Sequence, residues 1–320
     1  MCHLGLDRCR PTARSTVKLP PFEYVRASTT AEAVAALAAD EDAKVLAGGQ
    51  SLLPLMSLRL AHPTVLVDIG PVGLAGVEVV DDSSRRDGPL GAGARSIRLG
   101  ALVCHRVLES DPVVAEAVPL LAAAARYVGH PATRNRGTLG GSLAHADPAA
   151  ELPAVAVALG ATAVAVGPTG ARQLACSTLA EGYFTTCLAP DEILTEVRFP
   201  AAGPRHGAAW CEWAPRTGDF AEAGVGIDLD LDGGGAVARL AAAACSVGPI
   251  PLDLGPALAA AGVVGATSLP PALLRTAARA TEAATSAASA DKAELTGLLA
   301  ARALAIAFEG ARKRRAEARA

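Results

Sequence analysis

Two short stretches of this chain set adjacent glycines beside a hydroxyl or amide side chain: Gly48-Gly49-Gln50-Ser51 and Thr138-Leu139-Gly140-Gly141-Ser142. Without a Cβ, glycine backbone approaches an anion closely and adopts the positive φ angles that make successive N–H groups converge. A pyrophosphate needs many donors with no bulky side chain between them. Two such loops facing each other across two subdomains would hold one. A lone Gly-Gly is ordinarily a turn, so the reading rests on the pair. The common dinucleotide patterns are missing. Gly91-Ala92-Gly93-Ala94-Arg95-Ser96 gives G-x-G-x-x-S, without the third glycine and without the flanking strand and helix, and no G-x-x-x-x-G-K occurs. A dinucleotide bound here needs another architecture.

The surrounding pattern is mixed α and β. Thr29-Thr30-Ala31-Glu32 has capping-box spacing ahead of Val34 and Leu37 and predicts a helix over 30–39. Lys44 to Ala47 reads as a short strand running into the first glycine pair, and Val65 to Ile69 as a second. From Val77 a second unit begins: a strand at 77–80, a polar turn region from Asp81 to Gly88, helices near 101–110 and 113–127, and strands at 161–166 and 192–199. Beyond residue 205 come strands at 208–213, 224–231 and 236–247, then helices near 252–261, 270–287 and 291–310. Strands followed by helices indicate a separate α+β domain. The expected division is a lead-in over 1–17, units over 18–75, 76–203 and 204–312, and a tail from 313 to 320. Arg312-Lys313-Arg314-Arg315 reads as a solvated helix end.

Composition removes several function classes. A chain of 320 residues exceeds one ordinary core, and a hydrophobic content of 51% against 19% charged residues supports extensive burial. The net charge of −3 offers no general basic surface for nucleic acid. Seven scattered cysteines show neither C-x-x-C nor C-x-x-x-x-C spacing, so no zinc or iron–sulfur centre is expected in this chain. They suit a reducing, cytoplasmic setting. No apolar stretch is long enough to span a bilayer. Residues 1–17 lack the apolar run of a secretory signal; they read as disordered, or as preceding a true start at Val17, which an intact-mass measurement decides.

In their order, about 90 residues apart, the two loops resemble those of the FAD-binding subunit in the xanthine dehydrogenase and carbon monoxide dehydrogenase family of molybdenum hydroxylases. The similarity extends through 20–37, 99–138, 189–200 and 216–232, covering about 18–310. It implies a two-subdomain FAD-binding fold of the PCMH or vanillyl-alcohol-oxidase type, α+β overall, plus a C-terminal α+β domain with a three-stranded sheet and helices. It further implies non-covalent FAD. Ala47, Gly48, Gly49, Gln50, Ser51 and Leu52 would serve the pyrophosphate, with Ser51 adding a hydroxyl. Thr138, Gly140, Gly141 and Ser142 would form the opposite wall. Gly129 would meet the flavin or its ribityl chain, Glu151 a ribose hydroxyl, and Leu194 and Phe220 the isoalloxazine.

Each of these positions also has a plain structural reading. Leu194 and Phe220 would serve as core residues, Glu151 as a first-turn helix charge, and His145 with Asp147 as structure rather than a metal site. Arg134 and Asn135 read as loop braces. The segment Cys211 to Arg216 departs from the family, whose members often carry Lys before R-x-G-D-F. An acidic or apolar place near flavin N1 results, with Arg216 as a substitute cation. Asp291-Lys292 replaces the family's usual Tyr-Arg.

The resemblance implies no catalytic residue and no metal in this chain. A molybdopterin-binding large subunit would oxidise substrate and a small subunit with [2Fe–2S] clusters would relay electrons, in a dimer of heterotrimers. NAD⁺, a quinone or another acceptor would then be reduced. The expected location is cytoplasmic, or peripheral on the inner membrane face through the complex. Two alternatives stay open: a stand-alone flavoprotein oxidase, which often tethers its flavin covalently, and a non-redox assembly protein of the same fold. Acid precipitation tests the first and flavin bleaching by substrate the second.

Overall fold

The computed structural model describes residues 19–81 and 95–317. The expected lead-in, most of the turn region 81–88 and the glycines at 91 and 93 lie outside these residues.

The first unit comprises β1 (Glu23–Arg26), α1 (Thr30–Ala38), β2 (Lys44–Leu46), α2 (Leu52–Ser57) and β3 (Val65–Asp68). Its strands form a parallel sheet in the order β1-β3-β2. β3 is the central strand and is buried accordingly, as parallel strands covered on both faces are. Thr29 caps α1, its hydroxyl accepting from Glu32 N at 3.1 Å, while the Glu32 carboxylate takes the Ser28 N–H at 2.8 Å.

The second unit holds β4 (Val77–Asp81), β5 (Arg95–Gly100), α3 (His105–Ser110), α4 (Pro112–Ala117), α5 (Pro119–Ala125), α6 (Pro131–Arg134), α7 (Leu139–His145) and α8 (Glu151–Ala158). It continues through β6 (Thr162–Gly167), β7 (Gly170–Ala175), the small hairpin β8 (Ala180–Gly182) and β9 (Thr185–Thr186), and β10 (Ile193–Pro200). Five of these strands form an antiparallel sheet, β4-β5-β10-β6-β7, with β10 in the middle. The single helix expected over 113–127 is two. Val118 leaves helical geometry (φ −137°, ψ 69°) ahead of Pro119, because a residue before proline is pushed away from the α region. Ile193 and Leu102 pack into the core of the first unit, which joins the two subdomains along β10.

The third unit is a four-stranded antiparallel sheet of β11 (His206–Trp213), β12 (Ala223–Leu231), β13 (Val237–Cys245) and β14 (Leu252–Asp253). β14 is two residues long and adds to the three strands expected. Then come α9 (Gly255–Ala260), α10 (Pro271–Ala284) and α11 (Ala290–Glu317). Alternation along β12 assigns the two faces. Val225, Ile227 and Leu229 face the core shared with α10 and α11. Gly224 and Gly226 lie against Trp210, which belongs to the core of the second unit together with Ala243 and Cys245. The third sheet is therefore sandwiched between its own helices and the buried helix α8.

Each end of that inner face is polar. At one end His206 Nε2 lies 2.5 Å from Asp228 Oδ2, and Arg239 bonds both Asp228 and, at 2.6 Å, Asp230. Arg314 lies 3.0 Å from His206 Nδ1. An arginine only donates, so Nδ1 is the acceptor and Nε2 carries the proton given to Asp228. Arg315 reaches Gly233 O at 2.8 Å. The basic run at the end of α11 is thus no purely solvated helix end: two of its side chains tie the helix to the sheet.

Candidate functional site

The first glycine loop leaves β2 and enters α2. Gly49 takes φ +74°, which glycine adopts without strain. Among the described residues, the N–H groups of Gly48, Gly49, Gln50, Ser51 and Leu52 donate to no acceptor. Ser51 stands at the N-cap of α2 and its hydroxyl caps nothing. Ala47, Gly48 and Gly49 are half-buried, whereas Gln50 and Ser51 are exposed. A row of uncommitted donors ending in a free hydroxyl is an arrangement that accepts an anion.

The second loop faces the first. A Cβ on Gly48 would lie 2.2 Å from Arg136 O, and one on Gly141 would lie 3.8 Å from Ala47 Cβ. The loops therefore touch, and only glycine permits the approach at position 48. Unlike the first loop, the second has spent its N–H groups. Gly140 N donates to Ala101 O at 2.8 Å, Gly141 N to the Thr138 hydroxyl at 3.1 Å, and Ser142 N to Thr138 O at 3.0 Å. Thr138 is the buried cap of α7. What this wall has left to offer is the Ser142 hydroxyl and the surface of its backbone. A pyrophosphate would be bound mainly from one side and bounded from the other.

The entry into α3 supports the second loop, and the far end of the helix holds α6. Cys104 forms an isolated bridge with Thr138, and His105 N donates to Gly137 O at 2.9 Å. The His105 ring fills the place where Gly137 would carry a Cβ. Burial pushes His105 down to about 4, so the ring is neutral, and neither nitrogen has a hydrogen-bond partner among the described residues. Glu109 Oε2 accepts from Arg134 Nε at 2.7 Å.

The remaining candidates fall into two groups. The turn holding Gly129 (φ +49°) meets the loop that leads to Phe220, because a Cβ on Gly218 would sit 2.5 Å from the His130 ring. Phe220 is 74% exposed, which is not the position of a core filler. Leu194, only 5% exposed, belongs to the core of the second unit on β10. Glu151 opens α8 and is 7% exposed. Burial, then the charges of Glu212 and Asp147, push it up to about 8, so it holds its proton at neutral pH. Glu212 is also raised by burial, against the pull of the Trp210 indole N–H at 2.9 Å. Neither carboxylate has a basic partner among the described residues. The bland reading of Glu151 as an ionised first-turn helix charge does not fit this setting. His145 packs its ring on Phe184 at 5.1 Å, and no group of three or more His, Cys, Asp or Glu side chains among the described residues could hold a metal.

A family model described as "FAD binding domain in molybdopterin dehydrogenase" matches residues 20–202. The chain belongs to this family. It is 41% identical over 210 residues to the nicotine 6-hydroxylase medium subunit of Paenarthrobacter nicotinovorans, covering 65% of this chain and 69% of that one. To the carbon monoxide dehydrogenase medium chain of Hydrogenophaga pseudoflava it is 39% identical over 207 residues, 64% and 68% of the two chains. The fold is similar to a chain of a solved carbon monoxide dehydrogenase from Hydrogenophaga pseudoflava lacking the Mo-pyranopterin moiety. There the TM-score is 0.80 and the identity 34%, over 91% of this chain and 99% of that one. Quinoline 2-oxidoreductase from Pseudomonas putida 86 gives 0.79 and 32%, over 92% and 99%.

The chain is thus an FAD-binding oxidoreductase subunit, with the α+β architecture of the medium chains. Its own residues fit the cofactor: uncommitted N–H groups at 48–52, a close approach that excludes a Cβ, and a free serine hydroxyl. Sequence reasoning missed Glu109, His105 and the facing of Glu212 on Glu151. Only the acidic or apolar character of Cys211 to Arg216, where the resemblance implies a lysine, gave a signal.

Proposed function

We propose that this chain is the electron-transfer subunit of a heteromeric molybdenum hydroxylase. It accepts electrons from the [2Fe–2S] clusters of a small partner subunit and passes them to NAD⁺, a quinone or another acceptor. A large molybdopterin-binding subunit chooses and oxidises the substrate, within a dimer of heterotrimers in the cytoplasm or on the inner membrane face. The observation that carries this reading is the row of uncommitted N–H groups at Gly48 to Leu52, closed off by the second glycine loop.

Bound FAD supplies the redox chemistry, and the protein supplies position and polarity. Gly48, Gly49, Gln50, Ser51 and Leu52 hold the pyrophosphate through backbone N–H groups and the Ser51 hydroxyl. Ala47 precedes them at the closest approach to Gly141. Thr138, Gly140, Gly141 and Ser142 bound the opposite side. Glu151, protonated, would offer a sugar hydroxyl a donor as well as its carbonyl oxygen. Gly129 and Phe220 border the flavin ring, and Leu194 supports it from within the core. No side chain here needs to abstract a proton from substrate or attack it.

Flavin analysis of the complex purified with its partner subunits tests this. One FAD per chain is expected, released into the supernatant by acid precipitation. A colourless complex with intact partners would overturn the reading, and flavin that stays with the precipitate would favour the stand-alone oxidase.

A further inference from the structure

The turn between α5 and α6 is held by an arginine reaching backwards over its own helix. Arg134, the last residue of α6, donates from Nη1 to Gly129 O at 2.9 Å and to Val128 O at 3.2 Å. Its Nε is fixed by Glu109 on α3, and the two side chains are only 12% and 29% exposed. Both carbonyls are therefore turned toward the guanidinium. In a trans peptide the N–H points opposite to its C=O, and the described residues contain no cis bond. The N–H groups of Gly129 and His130 must then point away from Arg134. Among the described residues neither donates to any acceptor. At Gly129 the positive φ lets two consecutive peptide planes present carbonyls to one cation. The His130 ring continues the chain of contacts by lying against Gly218, two residues before the exposed Phe220.

We propose that Arg134, locked by Glu109, is a positioning residue that aims the Gly129 and His130 N–H groups outward as paired donors. Their target is an acceptor on the flavin end of the cofactor, and through His130 the same brace sets the loop that carries Phe220. The inference rests on the flavin reading and deepens it. Arg134 touches no cofactor atom itself; it acts through backbone. A bidentate guanidinium is needed because one group must satisfy two carbonyls and a carboxylate at fixed angles.

The test uses the full chain with Arg134→Gln, Arg134→Lys and Glu109→Gln, and Arg172→Gln as a control that breaks an equally well-formed pair with Glu192 elsewhere. FAD dissociation constants, the visible spectrum and the midpoint potential of bound flavin are measured, with hydrogen exchange of 126–138 and 214–222 on the cofactor-free protein. Arg134→Gln is expected to weaken FAD binding at least tenfold, to shift spectrum and potential, and to raise exchange in both segments. Arg134→Lys should fall between wild type and Arg134→Gln. Glu109→Gln keeps the shape, guards against a variant that fails to fold, and should move every readout the same way by less. Arg172→Gln should alter none of them. Exchange and affinity of Arg134→Gln within twofold of wild type, with spectrum and potential unshifted, would overturn the proposal. Should the wild type bind no FAD, the flavin reading falls on that result alone, and the exchange data still decide whether Arg134 sets these segments.

Discussion

The buried carboxyl of Glu151, pushed up to about 8, should make stability fall with pH between the ordinary carboxylate range and that value. This carboxyl lies at the start of α8, faced by Asp147 from the preceding loop, Glu212 from β11 and Cys245 from β13. No cation answers it among the described residues. Arg302 reaches Cys211 instead, and Cys211 belongs to the core on the helical side of the same sheet. In the unfolded chain a glutamate titrates near 4.5, whereas here it titrates at about 8. Below the lower value both states hold the proton and nothing is lost. Between the two, the unfolded chain releases its proton and the folded chain keeps it. Stability then falls by about 1.4 kcal/mol per pH unit, to a total of about 5 kcal/mol once both states are ionised.

Glu151→Gln keeps the shape and a donor while removing the titration. Urea unfolding at pH 6 and pH 8 gives the comparison, followed by fluorescence of the only two tryptophans, Trp210 and Trp213, both on β11. The variant should gain about 2 kcal/mol on wild type between the two pH values, the slope flattening as the folded-state carboxyl ionises near pH 8. Glu212→Lys should shrink the same slope in the wild-type background, because a facing cation lowers the Glu151 pKa. Parallel pH profiles for wild type and Glu151→Gln would refute the reasoning.

Three further substitutions test the close contacts. Gly48→Ala drives a Cβ to within 2.2 Å of Arg136 O, so the loops must part; FAD affinity measured by fluorescence quenching should fall at least tenfold, about 1.4 kcal/mol or more. Gly207→Ala puts a Cβ 1.9 Å from Ala307 O, where α11 crosses β11 backbone to backbone; a loss of about 3 kcal/mol is expected in chemical unfolding, with Gly310→Ala far milder. Asp228→Asn weakens the acceptor shared by His206 and Arg239 at a buried site and should cost about 3 kcal/mol, read from the urea midpoint, whereas Arg312→Ala, on an exposed pair with Glu309, should leave the midpoint within error.

Local chemistry was legible from sequence wherever a few neighbouring residues decide the outcome. The helix from Thr30 follows from a cap three residues before its glutamate, and the strands from His206, Ala223 and Val237 from apolar runs ended by turn residues. Both glycine loops were likewise visible as places where backbone must come close to something. The break at Val118 was not inferred, although Pro119 marks it, because the apolar face continues on both sides. β7 was missed as well: Gly170 to Ala175 is exposed at every position but Leu174 and shows no alternation, so its pairing with β6 depends on the turn before it. At the site, residue types could suggest a donor row but not which donors remain free. The second loop looks as generous as the first until its N–H groups are seen bonded to Ala101 and Thr138. Pairs such as Arg134 with Glu109, or Glu151 facing Glu212, join residues that only tertiary structure brings together.

The unequal loops and the buried acid follow from one constraint. On the proposed function, a subunit that passes electrons has to grip a cofactor firmly without placing reactive side chains beside it. Backbone N–H groups do this at no risk of side reaction, and the first loop supplies them in series. For the donors to stay aimed, the opposing wall must be rigid, and rigidity requires that its own hydrogen bonds be satisfied; Gly140, Gly141 and Ser142 donate inward for that reason. α3 stiffens the wall from behind through Cys104, His105 and Glu109. The third sheet closes the far side of α8, and its glycines at 224 and 226 let Trp210 lie flat against the strand, bringing Glu212 toward Glu151. At Glu151 and Glu212 two carboxyls meet, and a buried pair of this kind avoids the cost of two charges by keeping a proton. In the proposed site Glu151 would offer a sugar hydroxyl a donor, and a cation placed at 212 should lower its pKa and favour the ionised, acceptor form.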